Sequence, residues 1–111
     1  MIHKMKLNQE YFEHIKNGQK TIEMRLFDEK RRLVKPGDKI EFENRTTGET
    51  LLTEVVALHI FKSFDSLYGY FDKTVLGYNQ DEIAQPSDMG QFYSKEEQEK
   101  YGVVGIEIRL I

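Results

Sequence analysis

Three charged side chains fall within six residues of the segment GQKTIEMR, which runs from Gly18 to Arg25. Lys20, Glu23 and Arg25 offer a mobile ammonium, a carboxylate acceptor and a planar guanidinium fork. Such a set suits a polar, anionic ligand, because the fork matches phosphate or carboxylate and Glu23 accepts from amino or amide groups. The alternative is that Glu23 pairs with Arg25, or with a neighbouring strand, as a surface ion pair without further function.

The apolar pattern of this segment predicts which way the charged side chains face. Three apolar residues alternate with them: Ile22, Met24 and Leu26. A strand over residues 20–27 therefore sends Glu23 and Arg25 to the face opposite the aliphatic residues. In a regular strand Lys20 would fall on the same face as the apolar residues. We therefore expect it to lie in the turn before the strand begins pairing, where its side chain can still reach Glu23 and Arg25.

The segment before this strand predicts a strand and a helix. HKMKL alternates like a short strand, and QEYFEHIKN carries an apolar helical stripe. Asn8 is a suitable N-cap for this helix, and Gly18 is a suitable C′ residue. The motif strand should therefore start directly after a helix.

Turns and alternation predict the elements that follow. Pro36 and Gly37 predict a type II turn before the strand KIEFE. NRTTGET then predicts a hairpin to the long apolar strand LLTEVVALHIF. A short helix capped by Ser63 should come next.

The last third of the chain predicts a long connection, one helix and one strand. Residues 72–93 are rich in Gly, Asn, Pro and Asp, and long connections of this kind are often functional. Ser94 and Glu97 form a capping box for a helix, and VVGIEIRLI alternates as a final strand. The element order predicts an α+β fold of about five short, mostly antiparallel strands that can close into a small barrel with flanking helices and a cleft between them.

Composition predicts a single domain over residues 1–111 with one core. The chain has no cysteine, no apolar leader and no run of apolar residues long enough for a membrane span, which predicts a cytoplasmic protein without a membrane partner. The net charge of −3 argues against coating nucleic acid with the whole surface. Basic residues nevertheless outnumber acidic ones by seven to three in residues 16–35, which predicts a local anion-binding patch.

The run GQKTIEMR resembles the G-x-K-x-x-E-x-R motif of the ASCH domain, with Gly18, Lys20, Glu23 and Arg25 in register. KPGDKIEFEN and the closing YGVVGIEIRLI also lie where this family would place them, so the resemblance covers the whole chain. It implies a PUA-like β-barrel whose four motif residues line a cleft beside a helix. It also implies binding of RNA or a nucleotide-like small molecule, with neither a cofactor nor a metal.

The resemblance leaves two enzymatic alternatives open. Some short bacterial ASCH proteins resemble an amidohydrolase that deacetylates 4-acetylcytidine, with a catalytic lysine at the position of Lys20. That enzyme type has threonine where this chain has Glu23, and its later carboxylate matches none of Asp72, Asp81 and Glu82 uniquely. Glu23 would also raise the pKa of Lys20, which opposes its use as a nucleophile.

The second alternative is a metal-independent ribonuclease, an activity of certain ASCH proteins. Lys20, Glu23 and Arg25 would then supply a base, an acid partner and a charge stabiliser. For the binding function, we expect Lys20→Ala and Arg25→Ala to weaken ligand binding and to leave the fold intact.

Other residues are weaker candidates. Six aromatic residues are available to stack on a base: Tyr68, Tyr70, Phe71, Tyr78, Phe92 and Tyr93. The basic run Glu29–Arg32 is suited to the rim of a phosphate site. His3, His14 and His59 lack metal-ligand spacing, and we expect them to be structural.

Overall fold

The computed structural model describes residues 1–111 as a five-stranded sheet with three α-helices. In chain order the elements are β1 (Ile2–Leu7), α1 (Gln9–Lys16), β2 (Ile22–Leu26), β3 (Lys39–Asn44), β4 (Thr50–Phe61), α2 (Phe64–Tyr70), α3 (Lys95–Tyr101) and β5 (Val103–Leu110). Two short 3-10 turns cover Arg31–Leu33 and Pro86–Gln91. None of the three helices has both the length and the apolar character needed to cross a bilayer. The predicted element order is confirmed.

The sheet has the strand order β1-β3-β4-β5-β2. β1 runs parallel to β3, with α1 and β2 in the crossover connection between them, and the other three pairs are antiparallel. A register shift between Val55 and Ala57 interrupts the β4–β5 ladder and adds curvature there. The two edge strands, β1 and β2, share no ladder, so the curled sheet is a half-barrel with an open seam. The predicted α+β class and mostly antiparallel sheet are confirmed.

Apolar residues form two clusters on opposite faces of this sheet. The inner cluster lies inside the curl, under α1: Met5, Leu7, Phe12, Ile15, Val34, Ile40, Phe42, Val55, Val104, Ile106 and Ile108. The outer cluster packs β2 and β5 against α2 and the long connection: Ile22, Leu26, Phe64, Leu67, Leu76, Met89 and Val103. Both faces of β2 are therefore largely covered by protein.

Local signals at the ends of the elements largely behave as the sequence predicts. Gly18 follows α1 with φ +86°, a left-handed conformation that favours glycine. The Ser94 hydroxyl accepts from the amide of Glu97, and the Glu97 carboxylate accepts from the amide of Ser94, which completes the predicted capping box. Asn8 lies at the N-cap position of α1, but its side chain makes no capping hydrogen bond.

Candidate functional site

Strand β2 directs its charged side chains to the concave face of the half-barrel. Glu23 lies opposite Ile106 and Arg25 lies opposite Val104 in the β2–β5 ladder. Residues directly opposite in an antiparallel pair share a face, so both charged residues point to the side of the inner cluster. Both lie on the other face of β2 from its aliphatic residues, as predicted. However, the face that they occupy is the inside of the curl and not a solvated exterior.

Lys20 is the most deeply buried charged residue, with 3% of its surface exposed. It lies just before β2, as predicted, and its backbone amide donates to the carbonyl of His14. Its Nζ donates to the carbonyls of Ile22 at 2.7 Å and Leu76 at 3.0 Å. A third acceptor, Glu23 Oε1, lies 3.3 Å from Nζ. Three acceptors match the three N–H groups of an ammonium ion.

Glu23 bridges the two cations of the motif segment. Oε1 faces Lys20 Nζ, and Oε2 accepts from Arg25 Nε at 2.7 Å. Only 4% of Glu23 is exposed, so this is a buried triad and not the surface ion pair of the alternative interpretation. A carboxylate in such a position is held by its two partners, and removal of either would leave charge uncompensated.

Arg25 connects the two sides of the open seam. Its Nε belongs to the triad, while Nη2 donates to the backbone carbonyl of Lys6 in β1 at 3.1 Å. No ladder joins β1 and β2, so this side-chain bond takes the place of a backbone one. The guanidinium therefore lies at the mouth of the seam with a fixed orientation.

Burial and mutual charge shift the pKa values of all three groups. Burial lowers the pKa of Lys20, and the attraction of Glu23 opposes this only in part. Burial raises the pKa of Glu23, but Arg25 and Lys20 outweigh it and hold this pKa below its ordinary value. Burial lowers the pKa of Arg25, and Glu23 more than offsets that effect. The three acceptors around Lys20 Nζ match an ammonium ion, so the contacts of the triad arrange two cationic groups around one carboxylate.

A cavity of about 460 Å³ opens at the seam, above the triad. Its walls come from the end of β1, the first turn of α1, strand β2 and the connection between α2 and α3. Five cationic side chains line it: Lys6, Lys20, Arg25, Arg31 and Arg45. Four carboxylates line it: Glu10, Glu23, Glu82 and Asp88. Five aromatic rings line it: Tyr11, Tyr68, Tyr78, Phe92 and Tyr93. The volume is within the ordinary range of small-ligand pockets.

The cavity gathers most of the residues that the sequence suggests and leaves several outside. Gly18 does not line it; its positive φ ends α1 and sets the path of the chain into Lys20. Tyr70 and Phe71 also lie elsewhere, in an aromatic group with His59 and Phe61.

Among the three candidate carboxylates, Glu82 alone lines the cavity. The Asp72 carboxylate instead accepts from the backbone amide and hydroxyl of Thr74. Of the basic run, Arg31 lines the cavity, paired with Asp28 at 3.2 Å.

Gly77 and Tyr11 are site residues that sequence reasoning missed. Gly77 has φ +108°, and a Cβ there would lie 3.1 Å from Lys20 Cδ and 3.7 Å from Tyr11 Cδ1. The glycine therefore leaves space for the lysine side chain, beside the Leu76 carbonyl that Lys20 contacts. In the sequence, the signal that could have identified Gly77 was its position in a long connection rich in turn residues. Tyr11 was assigned to the apolar stripe of α1, and its ring forms cavity wall as well.

Two of the three histidines pair with a carboxylate. His3 Nε2 lies 2.9 Å from Asp38 Oδ2, and His59 Nε2 lies 2.9 Å from Glu107 Oε1. His14 is partly buried, and its Nδ1 has no hydrogen-bond partner. No group of three or more His, Asp and Glu residues lies close enough together to hold a metal ion.

Comparison with known proteins places this geometry in a family. A crystal structure of hypothetical protein PH0355 is 38% identical, with a TM-score of 0.85 and 100% coverage of both chains. The solution structure of protein PF0455 from Pyrococcus furiosus is 37% identical, with a TM-score of 0.73, 100% coverage of this chain and 98% of that one. No curated protein matches the chain.

A more distant likeness concerns the fold alone. A variant of the ASCH protein from Zymomonas mobilis is 15% identical, with a TM-score of 0.69, 97% coverage of this chain and 68% of that one. The sequence profile of the ASCH domain matches residues 5–111, nearly the whole length. The chain therefore belongs to the ASCH domain family.

Proposed function

We propose that this protein binds RNA or a nucleotide-like small molecule in the cavity at the barrel seam. The observation that carries the proposal is the coincidence, in one cavity of about 460 Å³, of cationic side chains with aromatic rings. Guanidinium groups bind phosphate oxygens, and aromatic rings stack on bases. Binding of this kind requires no cofactor.

The motif residues have distinct roles in this proposal. Lys20, Glu23 and Arg25 form a charged floor whose net positive charge attracts an anion, and the seam bond to Lys6 fixes the orientation of Arg25. Gly18 acts indirectly, because it ends α1 and so positions Lys20. The floor is held by its own contacts, so it is ready for a ligand without rearrangement, which reduces the entropic cost of binding.

Arg45 is the cation most available to a phosphate. Its backbone amide donates to the Leu7 carbonyl, which holds it at the end of β1. Its side chain lines the cavity and is exposed, and no carboxylate pairs with it. A phosphate at this position would gain a charge-assisted bond without displacing an existing ion pair.

Phe92 offers an exposed ring at the same cavity. It is 43% exposed, and its ring meets Tyr11 edge-on with 6.4 Å between the centroids. An exposed aromatic ring beside a second, partly buried ring can stack on a base at little conformational cost.

The contacts of Lys20 favour binding over catalysis by this residue. A nucleophilic or basic lysine needs a lone pair on Nζ, yet three acceptors surround this nitrogen and match the ammonium form. Burial lowers the pKa of Lys20 and Arg25 lowers it further, but Glu23 opposes this, and the bonds from Nζ to two backbone carbonyls also favour the charged form. Glu23 is likewise held as a carboxylate, which opposes a role as general acid in RNA cleavage.

Calorimetric titration with short single-stranded RNAs and with nucleoside monophosphates tests the proposal. We expect binding that weakens as salt rises, because phosphate contacts release counterions. Arg45→Ala and Phe92→Ala should weaken it, while Arg109→Ala, which changes an exposed arginine outside the cavity, should not. Comparison of the RNA and monophosphate arms identifies which form of the ligand the cavity prefers. The proposal fails if neither ligand binds, or if Arg45→Ala behaves like Arg109→Ala.

Mass spectrometry of the protein incubated with 4-acetylcytidine and with short RNAs tests the two enzymatic alternatives. The contacts of Lys20 predict no product in either reaction. A product that disappears in folded Lys20→Met protein, with folding checked by circular dichroism, would replace the binding proposal with an enzymatic one.

A further inference from the structure

Two groups of charged side chains reach the cavity from different parts of the chain. Arg25, Arg31 and Arg45 come from β2 and from the segments that follow β2 and β3. Glu82 and Asp88 come from the connection between α2 and α3. We refer to these groups as the arginine end and the carboxylate end. A ligand that carries both a phosphate and a hydrogen-bond donor could contact the two groups at once.

Two tyrosines of the cavity have different electrostatic surroundings. The pKa of Tyr11 is raised by burial and further raised by the negative charges of Glu10, Asp88, Glu82 and Glu23, so its ring lies near these carboxylates. Burial raises the pKa of Tyr93, the charges of Arg25 and Arg31 lower it and that of Glu23 raises it, which places its hydroxyl near the Arg25–Glu23 pair.

The carboxylate end keeps free acceptor atoms. Glu82 Oε1 accepts from the Asn79 amide at 2.7 Å, and no protein group donates to its Oε2. Asp88 Oδ2 accepts from the Tyr78 hydroxyl at 2.7 Å, and no protein group donates to its Oδ1. The Tyr78 hydroxyl in turn lies 2.8 Å from the Tyr68 hydroxyl. The two tyrosines therefore help to fix the orientation of the Asp88 side chain. Each carboxylate is thus oriented by one oxygen and leaves the other without a donor.

We propose that the cavity selects nucleotides whose base carries an exocyclic amino group, with the phosphate at the arginine end and the amino group at the carboxylate end. The inference rests on the proposed nucleotide-binding function and adds the base class and the orientation. An amino N–H donates to a carboxylate oxygen, as in cytosine and adenine. Uracil and hypoxanthine present a carbonyl oxygen at the same ring position, which would face the carboxylate as acceptor against acceptor.

Calorimetric titration with two matched pairs of monophosphates tests the inference on the whole protein. Cytidine and uridine monophosphates form one pair, and adenosine and inosine monophosphates form the other. We expect the amino-bearing member of at least one pair to bind about tenfold more tightly than its partner, since a base carbonyl at that position forms no hydrogen bond with a carboxylate. Cytidine without phosphate should bind more weakly than its monophosphate.

Glu82→Gln is the informative variant. Its carbonyl oxygen can keep the bond to the Asn79 amide, and its amide nitrogen would then replace the free oxygen and donate to a base carbonyl. The preference for the amino-bearing member should therefore shrink or reverse. Glu96→Gln, an exposed position in the first turn of α3, should leave it unchanged.

The outcomes separate this inference from the proposed function. If the monophosphates bind but the two members of each pair bind equally, or the carbonyl-bearing member binds more tightly, the base-class inference is wrong and nucleotide binding stands. A preference that Glu82→Gln leaves intact contradicts the assignment of the carboxylate end. If no nucleotide and no RNA binds, the proposed function itself fails.

Discussion

Arg25 donates from Nη2 to the backbone carbonyl of Lys6, 3.1 Å away, across two edge strands that share no ladder. Its Nε at the same time donates to Glu23, whose other oxygen faces Lys20. One guanidinium therefore closes the gap in the half-barrel and completes a buried triad. Lysine cannot reproduce both contacts, since it has no planar fork.

Arg25→Lys should consequently destabilise the protein although it retains the charge. The loss of the seam bond and of one well-directed bond to Glu23 predicts a decrease of about 1–3 kcal/mol in the free energy of unfolding. Urea denaturation followed by circular dichroism measures it. Arg109→Lys, on the exposed end of β5, is the control and should have a much smaller effect. Equal effects of the two substitutions would mean that the seam bond contributes no stability.

Lys20→Met should be the most damaging substitution in the motif segment. It leaves Glu23 with one cation and leaves the Ile22 and Leu76 carbonyls without this donor, and breaking a buried pair costs about 3–5 kcal/mol. The sequence-based expectation that Lys20→Ala leaves the fold intact is revised accordingly. Lys16→Met is the matched control, because Lys16 pairs with Glu49 at the surface. A Lys20→Met protein whose urea midpoint equals that of Lys16→Met would contradict the structural role.

The lowered pKa of Glu23 predicts a specific dependence of stability on pH. Between the folded pKa and the ordinary glutamate value of about 4.3, the unfolded chain binds more protons at this residue than the native protein does. The stabilisation by ionised Glu23 is therefore complete above pH 4.3 and is lost as the pH falls through the folded pKa. Glu23→Gln has no ionisable group at this position. The difference in the free energy of unfolding between the unmodified protein and this variant should therefore narrow as the pH falls below about 4.3. Urea titrations between pH 7 and pH 3 measure this difference, and a constant difference would contradict the assignment.

Gly77→Ala should disturb Lys20 as well as the local backbone. Any Cβ at a positive φ costs about 1–2 kcal/mol, and Gly37→Ala at φ +92° has only that cost, since nothing lies within 4 Å of its Cβ position. At Gly77 the added Cβ would also lie 3.1 Å from Lys20 Cδ. We therefore expect Gly77→Ala to lower the free energy of unfolding by about 1 kcal/mol or more beyond the effect of Gly37→Ala. The urea midpoint of Gly77→Ala should be correspondingly lower. Similar midpoints would show that Lys20 can shift without cost.

The parts of the site that follow from local rules could be predicted from the sequence. The alternation of β2 placed Glu23 and Arg25 on one face, and the glycine after α1 placed Lys20 before the strand. The burial of these charges could not be predicted, because it depends on α1 and the long connection covering them. Periodicity says nothing about the path of residues 72–93, so the Leu76 carbonyl and Gly77 were not foreseen.

For the fold, too, the elements could be predicted from the sequence, but not all of the pairings between them. Turn and capping residues identified the elements, whereas the parallel pairing of β1 with β3 and the open seam depend on long-range contacts. The seam matters most for function, because the cavity opens there.

Backbone amide NMR spectra recorded during titration with cytidine monophosphate test the central claim most directly. The proposed binding predicts concentration-dependent shifts at amides of the cavity walls, including Tyr11, Glu23, Gly77 and Tyr93, and none at the hairpin residue Gly48. Shifts confined to surfaces outside the cavity, or no shifts with either this nucleotide or a short RNA, would contradict the account.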